Sequence, residues 1–205
     1  MHSFFNSWKL ASTGLLLVVL SAASCKRDGT RAVVENPAAV AEAKVQFDIL
    51  RDSVDVKWRV MTESDDQKIA ITRLLIRELT QTPGQNPAQL QALAQANARF
   101  KARRYTQQSM AESASIDRYD TAQDSLLHVL LPVAAPNGGA PTENARNFVE
   151  GIQELDASVV TYRVQYDRAA KTYNNYLRLH GPALQTLGGK YAGLAPLPLF
   201  TIELK

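Results

Sequence analysis

The sequence has few of the residues from which disulfide frameworks and metal sites are built. It contains one cysteine, Cys25, and three histidines in 205 residues, so a disulfide within the chain is impossible. The histidines, His2, His128 and His180, are far apart, and none has a second histidine or the cysteine at metal-ligand spacing. We therefore expect no metal and no cofactor.

Sequence signatures of catalysis are also missing. Gly138-Gly139 lies between prolines and is not followed by Lys-Ser or Lys-Thr, so it is not a phosphate-binding loop. The chain has no Gly-x-Ser-x-Gly elbow and no His-Glu-x-x-His motif. These absences predict a protein that is not an enzyme and has no catalytic residues.

The chain lacks a strong excess of charge of either sign. It has 23 Lys and Arg against 20 Asp and Glu, a net charge of +3, which demands neither nucleic acid nor an acidic substrate. The densest basic cluster contains Arg99, Lys101, Arg103 and Arg104. Residues so close in sequence point in several directions around a helix, so we interpret this cluster as a solvated helix surface and expect no nucleic-acid partner.

The first 24 residues have the pattern of a secretory signal peptide. Lys9 precedes an apolar run, Leu10 to Leu20, which is shorter than the roughly 20 apolar residues of a membrane-spanning helix. Small residues, Ser21 to Ser24, then lead to Cys25. A lipoprotein signal peptidase recognises this arrangement. We predict that Cys25 becomes the acylated N-terminus, with palmitate among its acyl chains, because several chains anchor a protein stably where one does not.

Two alternatives remain for this region. Ala22 stands where leucine is commonest in a bacterial lipobox, so an ordinary signal peptide cut near Ala22-Ala23 is the first alternative. An exposed free thiol in an oxidising compartment is a liability, which favours lipidation. The second concerns Lys26-Arg27-Asp28, which partly resembles the surface-export signal of some Bacteroidota lipoproteins. Tethering to the inner-facing leaflet is the default, and residues 25–36 are expected to be a flexible tether.

The rest of the chain predicts helices and no strands. Asn36-Pro37 and Asn86-Pro87 each combine an N-cap residue with proline at the first helical position. The first helix is expected to end at Thr82-Pro83, and Glu63 to Asp66 interrupts its apolar stripe as either a solvated turn or a kink. The second helix is expected over about 88–131, followed by a loop from Pro132 to Pro141.

The third helix has the most regular pattern. Thr142 is its expected cap and Gly181-Pro182 its expected end, with His180 facing the helix dipole there. Its apolar and aromatic residues alternate gaps of four and three, as in a coiled-coil seam: Phe148, Ile152, Leu155, Val159, Tyr162, Tyr166, Ala169, Tyr173, Tyr176 and His180. We predict an all-α fold over 37–205, an elongated antiparallel bundle of three long helices, with the apolar tail Leu194 to Phe200 laid along it.

Four tyrosines of this seam are a candidate ligand or partner surface: Tyr162, Tyr166, Tyr173 and Tyr176. They could form a strip that binds a glycan. Tyrosines at seam positions more often pack, with the hydroxyl at the rim of the interface. We favour the packing interpretation.

Several stretches together resemble the LemA family of bacterial envelope proteins, which have an N-terminal anchor followed by a bundle of long helices. They are Tyr162 to Ala170, Tyr173-Asn174-Asn175-Tyr176-Leu177, Val54-x-x-x-Trp58 and Tyr119-Asp120-Thr121-Ala122-Gln123-x-x-Leu126. The family's Arg-x-x-Leu-Ile-Pro-Asn-Leu-Val signature is absent, and His180-Gly181-Pro182 replaces Phe-Pro, so the resemblance is to a divergent member over about 45–203. It implies a helical bundle in the envelope and no catalytic residues.

Together these features predict a non-enzymatic helical protein of the bacterial cell envelope, held at the membrane by acylated Cys25. Its bundle surface is expected to meet an unidentified envelope protein or a second copy of itself. The alternative is a glycan- or lipid-binding module that uses the tyrosines or the apolar tail.

Overall fold

The computed structural model describes residues 36–136 and 142–200. Within these ranges all regular structure is helical, which confirms the all-α prediction. Four α-helices are present where three were predicted, and two short 3-10 turns accompany them. In chain order the elements are α1 (Pro37–Thr80), α2 (Pro87–Arg103), a turn at Ser109–Ala111, α3 (Ser113–Ala134), α4 (Glu143–Gln185) and a turn at Gly189–Tyr191. The predicted signal peptide (1–24) and nearly all of the predicted tether (25–36) lie outside the described residues.

The predicted helix starts are confirmed in atomic detail. At each start a side-chain oxygen accepts a hydrogen bond from a backbone N–H that the helix itself cannot satisfy. The pairs are Asn36 with Ala38 at 3.1 Å, Asn86 with Ala88 at 3.1 Å, and Thr142 with Ala145 at 3.1 Å.

The predicted second helix is wrong, because α2 ends at Arg103 and α3 begins at Ser113. Arg104 has extended backbone, and its guanidinium turns back onto α1, where it donates to the carbonyl oxygen of Thr62 at 3.0 Å. The stretch here is rich in Ala, Gln and Arg and has little apolar surface to hold a single long helix. The break lets α3 reverse direction and return along α1.

The structure also decides three other positions at which the sequence predicted a break, a turn or the end of a helix. The acidic run Glu63 to Asp66 lies inside an unbroken α1. Pro132 and Pro182 were expected to end helices, but they lie inside the last turns of α3 and α4. The carbonyl that each proline leaves without its helical partner belongs to an exposed residue four positions earlier, where water can bond to it.

α1 and α4 pack antiparallel along their full lengths. Contacts between them pair ever later residues of α1 with ever earlier residues of α4, as the opposite chain directions require. From one end to the other they are Ala43 with Tyr176, Phe47 with Tyr173, Lys57 with Gln165, Lys68 with Asp156, and Glu78 with Thr142.

α2 and α3 cover only one half of this long pair. Asn97 of α2 donates to the carbonyl oxygen of Ile69 at 2.9 Å, and Gln123 of α3 reaches Asp65 at 2.7 Å. We call 59–80 of α1, α2, α3 and 143–163 of α4 the bundle half. We call 37–58 of α1, 164–185 of α4 and the segment 186–200 the pair half. One continuous apolar core runs through both.

The segment that ends at Phe200 lies along α4 in the pair half. The side-chain amide of Asn174 donates to the carbonyl oxygen of Leu197 at 2.8 Å and accepts from its N–H at 2.7 Å. The Asp167 carboxylate accepts from the N–H of Phe200 at 2.8 Å. These bonds satisfy backbone groups that have no helix or strand partner, and they hold an irregular segment in one register.

Candidate functional site

The buried stripe of α1 becomes polar in its central part. Ser64, Lys68 and Thr72 are all buried between Met61 and Leu75, and the Asp65 side chain is only 14% exposed. Lysine and aspartate are rarely buried unless they are paired. The acidic run that seemed to interrupt the stripe therefore continues it with charged residues.

Asp65 is the centre of a network that joins three segments of the bundle half. Its carboxylate accepts hydrogen bonds from the Tyr119 hydroxyl at 2.5 Å, from Gln123 Nε2 at 2.7 Å and from Arg104 Nη1 at 2.9 Å. Burial and the Asp65 carboxylate raise the pKa of Tyr119, so its hydroxyl stays protonated as a donor. The carboxylate thus accepts two hydrogen bonds from α3 and one from Arg104, the residue that follows α2.

Asp66 binds the same guanidinium nitrogen of Arg104 as Asp65 does. It accepts from Arg104 Nη1 at 2.8 Å and from Lys101 Nζ at 3.0 Å. Burial alone would raise the pKa of Asp66, but the bonds from Lys101 and Arg104 outweigh it and hold that pKa below its ordinary value. The interpretation of the basic cluster as solvated surface is wrong for Arg104, because the end of α2 turns its side chain inward.

A second ion pair ties α3 to α4. Arg163 binds both carboxylate oxygens of Asp120 at 2.8 Å, donates to the Tyr105 hydroxyl at 3.2 Å, and lies 4.9 Å from the centre of the Phe200 ring. Burial lowers the pKa of Arg163, but the bonds with Asp120 outweigh it and raise that pKa overall. The bidentate geometry fixes the angle between the two side chains as well as their distance.

A cleft of about 200 Å³ opens between α1, α3 and α4 beside these two networks. A second, much smaller pocket of about 10 Å³ lies beside it, lined by Lys68, Thr72, Asn97 and Gln123 among others. The cleft has an apolar wall that includes Leu155 and Val159. Its polar groups include Asp65, Lys68, Arg104, Tyr119, Asp124, Asp156 and Arg163.

Lys68 is the least expected side chain in this cleft. Its side chain is 6% exposed, and its ammonium group donates to Asp156 at 2.9 Å. Asp156 itself is 46% exposed, so this pair joins a buried cation on α1 to a carboxylate at the mouth of the cleft. Across the cleft, the exposed carboxylate of Asp124 projects from α3.

The four seam tyrosines do not share one surface. Tyr166 and Tyr173 are buried at 0% and 2% exposure, as the packing interpretation expects. Burial raises the pKa of Tyr166 to about 12, and its hydroxyl donates to the carbonyl oxygen of Pro198. Tyr162 is partly exposed and lines the cleft, whereas Tyr176 is partly exposed at the far end of the pair half.

The other sequence-predicted positions contribute little to a site. Cys25 lies outside the described residues. His128 is exposed on α3, and His180 stacks on Tyr176 with ring centres 4.2 Å apart, inside α4 and not at its end. No helix in residues 36–136 and 142–200 is long and apolar enough to cross a membrane. The same ranges hold no cluster of histidine and acidic side chains arranged to bind a metal ion.

Comparison of the chain with protein-family models, with curated proteins and with solved structures gives no match. The resemblance to the LemA family therefore stays a prediction, and the function must be argued from the residues themselves.

Sequence reasoning missed the charged core of the bundle half. A signal for Lys68 was present, because Met61, Ser64, Lys68, Thr72 and Leu75 continue the spacing of three and four that marks a buried stripe. The partners of Arg104 and Arg163 carry no such local signal. Arg104 meets a residue 39 positions away and Arg163 one 43 positions away, so only the folded chain reveals these pairs.

Proposed function

We propose that the protein is a non-enzymatic, lipid-anchored helical protein of the bacterial cell envelope, whose helical surface binds a protein partner or a second copy. The observation that carries the proposal is Cys25, which follows an apolar run and four small residues. Acyl chains on this cysteine hold the protein at the membrane. The resemblance to the LemA family, with its anchor and long helices, supports the same location.

The long helices suit a protein that reaches away from its anchor. α1 contains 44 residues, a length of about 66 Å at 1.5 Å per residue. The eleven residues between Cys25 and Pro37 span at most about 40 Å. We infer an elongated antiparallel body, built on α1 and α4, that presents its sides to other envelope proteins.

The anchor is tested by mass spectrometry of the mature N-terminal peptide from cell membranes, with the Cys25→Ala variant beside it. We expect a diacyl or triacyl mass on Cys25 and release of the variant from the membrane fraction. An unmodified N-terminus at or before Cys25 would remove the lipoprotein proposal and leave a secreted or signal-anchored bundle.

A glycan- or lipid-binding module is the second candidate, supported by the partly exposed rings of Tyr162 and Tyr176. Tyr162→Ser and Tyr176→Ser variants test it in binding assays with purified envelope glycans and with lipid vesicles. Lost binding in folded variants supports the module. Unchanged binding, or loss of stability alone, assigns these rings to packing.

A further inference from the structure

The charges around the cleft do not cancel within the protein. Arg104 is neutralised by Asp65 and Asp66, and Arg163 by Asp120, each at 2.9 Å or less. Lys68 pairs with Asp156 at 2.9 Å, whereas the exposed carboxylate of Asp124 forms no ion pair among the described residues. The cleft therefore holds one ion pair, whose lysine is buried, and one further carboxylate, that of Asp124.

Lys68 has more hydrogen-bonding capacity than the protein uses. An ammonium group carries three N–H donors, and among the described residues Lys68 bonds only to Asp156. A buried ammonium with unused donors is costly unless other acceptors reach it. The cleft has room for them, because about 200 Å³ far exceeds the roughly 10–15 Å³ that one water molecule requires.

The carboxylates restrict what such an acceptor can be. A simple anion that reaches Lys68 must approach Asp156, which already binds Lys68, and the unbalanced carboxylate of Asp124. A simple amine satisfies those carboxylates but leaves the Lys68 donors unused. A small molecule with both charges satisfies both ends, and Tyr162, Leu155 and Val159 offer an apolar wall for its carbon skeleton.

We propose that this cleft binds a small zwitterion that carries a free carboxylate and a free ammonium group, as an amino acid does. The carboxylate accepts hydrogen bonds from Lys68, and the ammonium group lies between Asp124 and Asp156. This site is separate from the anchor proposed above, because it does not need acylation, and among the four candidate tyrosines only Tyr162 lines it.

Isothermal titration calorimetry on the full chain, purified in mild detergent, tests the proposal. The probes are L- and D-leucine and L- and D-phenylalanine, together with their analogues that lack the amine (4-methylpentanoate, 3-phenylpropionate) or the carboxylate (isopentylamine, phenethylamine). We expect at least one amino acid to bind, and about tenfold or more tighter than both of its single-charge analogues, since charge-assisted bonds discriminate by this amount.

Two variants and one control locate the binding. Lys68→Met keeps the length of the buried side chain and removes its donors, and Asp124→Asn removes one carboxylate at an exposed position. Each is expected to weaken binding about tenfold, whereas Asp52→Asn, an exposed aspartate of the pair half, leaves it unchanged. If Lys68→Met does not fold, Asp124→Asn against Asp52→Asn still decides the site.

Three results would overturn the proposal. The first is the absence of binding by all four amino acids at 10 mM, a concentration chosen to detect about millimolar affinity. The second is equal affinity for an amino acid and its carboxylate-only or amine-only analogue. The third is binding that Asp124→Asn does not weaken. None of these results bears on acylation of Cys25, which is measured separately.

Discussion

The bundle half and the pair half use the same two long helices but fill the space beside them differently. Around Asp65 and Asp120 the bundle half buries carboxylates and arginines in hydrogen-bonded networks. Around Phe47 the pair half buries aromatic rings, with Tyr173 at 5.2 Å and Tyr191 at 5.9 Å between ring centres. This difference in core composition follows from the number of helices, four in the bundle half and two in the pair half.

Two helices alone leave broad gaps along their sides. In the pair half these gaps are filled by large rings and by the docked segment, whose Phe200 lies 5.6 Å from Tyr166. Offset and edge-on ring pairs of this kind bury a large area with few side chains. The pair half is therefore held mainly by ring contacts, and the hydrogen bonds of Asn174 and Asp167 fix the docked segment.

Four helices enclose more volume and must also be kept in register. The bonds from Tyr119, Gln123 and Arg104 to Asp65 form only when α2 and α3 sit at one position along α1. Buried charges add little net stability, because desolvation offsets much of their attraction, but wrongly registered helices would leave them unpaired. We infer that the charged network of the bundle half adds little net stability but fixes the relative positions of the helices beside the cleft.

The largest expected effect comes from emptying the centre of the charged network. Asp65→Ala removes the acceptor shared by Tyr119, Gln123 and Arg104. Arg104 keeps Asp66 at 2.8 Å, so the free energy of unfolding should fall by about 3 kcal/mol, mainly through the donors left unsatisfied. Asp55→Ala is the matched control. It removes a 52% exposed aspartate with one bond to Arg51 and should cost less than about 1 kcal/mol. Urea unfolding curves measure both, and equal costs would mean that the network is not structurally important.

The next prediction compares the stability lost on truncating two residues of α4, one in the packed core and one that lines the cleft. Ile152→Ala, at a fully buried position, should cost about 2–5 kcal/mol. Leu155 is only partly buried because it faces the cleft. Leu155→Ala should therefore cost under about 2 kcal/mol, less than the full-burial value expected for a closed seam. A larger loss at Leu155 than at Ile152 would mean that the cleft is closed in solution.

A smaller effect is the pH dependence that Tyr166 of the pair half gives to stability. Burial raises the pKa of Tyr166 from 10.0 to about 12, so the folded state keeps its proton where the unfolded state loses it. Stability from this group is complete below pH 10 and falls as pH rises from 10 to 12, by on the order of 2 kcal/mol. Thermal melts across this range should show a shallower decline for Tyr166→Phe than for Tyr162→Phe. Parallel declines would count against the buried, protonated tyrosine.

The smallest expected change is stabilising. A Cβ atom at Gly151 would lie 3.5 Å from Ile71 Cδ1, an ordinary contact. Gly151→Ala should raise the free energy of unfolding by about 0.5–1 kcal/mol through helix propensity. Gly84→Ala gives the opposite sign, since Gly84 has a φ of +84° and an alanine there costs about 1 kcal/mol. If Gly151→Ala destabilises, the bundle half is packed more closely than the structure shows.

The sequence predicted the features that depend on neighbouring residues. Asn36, Asn86 and Thr142 cap their helices as expected, because a cap needs only the next two or three residues. The seam placed Ile152, Tyr166 and Tyr173 correctly inside.

The sequence failed where distant residues decide the outcome. The break after Arg103 depends on the ion pairs that Arg104 forms with Asp65 and Asp66, nearly 40 residues away. The cleft could not be predicted from sequence either, because it is a space between α1, α3 and α4 beside Lys68. Both features require knowledge of how α1, α3 and α4 lie together.

The antiparallel pairing of α1 with α4 also has a consequence for the order of synthesis. Ala43 meets a residue 133 positions further along the chain, so the N-terminal part of α1 emerges long before its partner. Until α4 follows, Phe47 and Val54 have nothing to cover them. Closing so long a loop is entropically slow. The second half of α1 is covered as soon as α2 follows it, so the part of α1 that is made first is the part that is covered last.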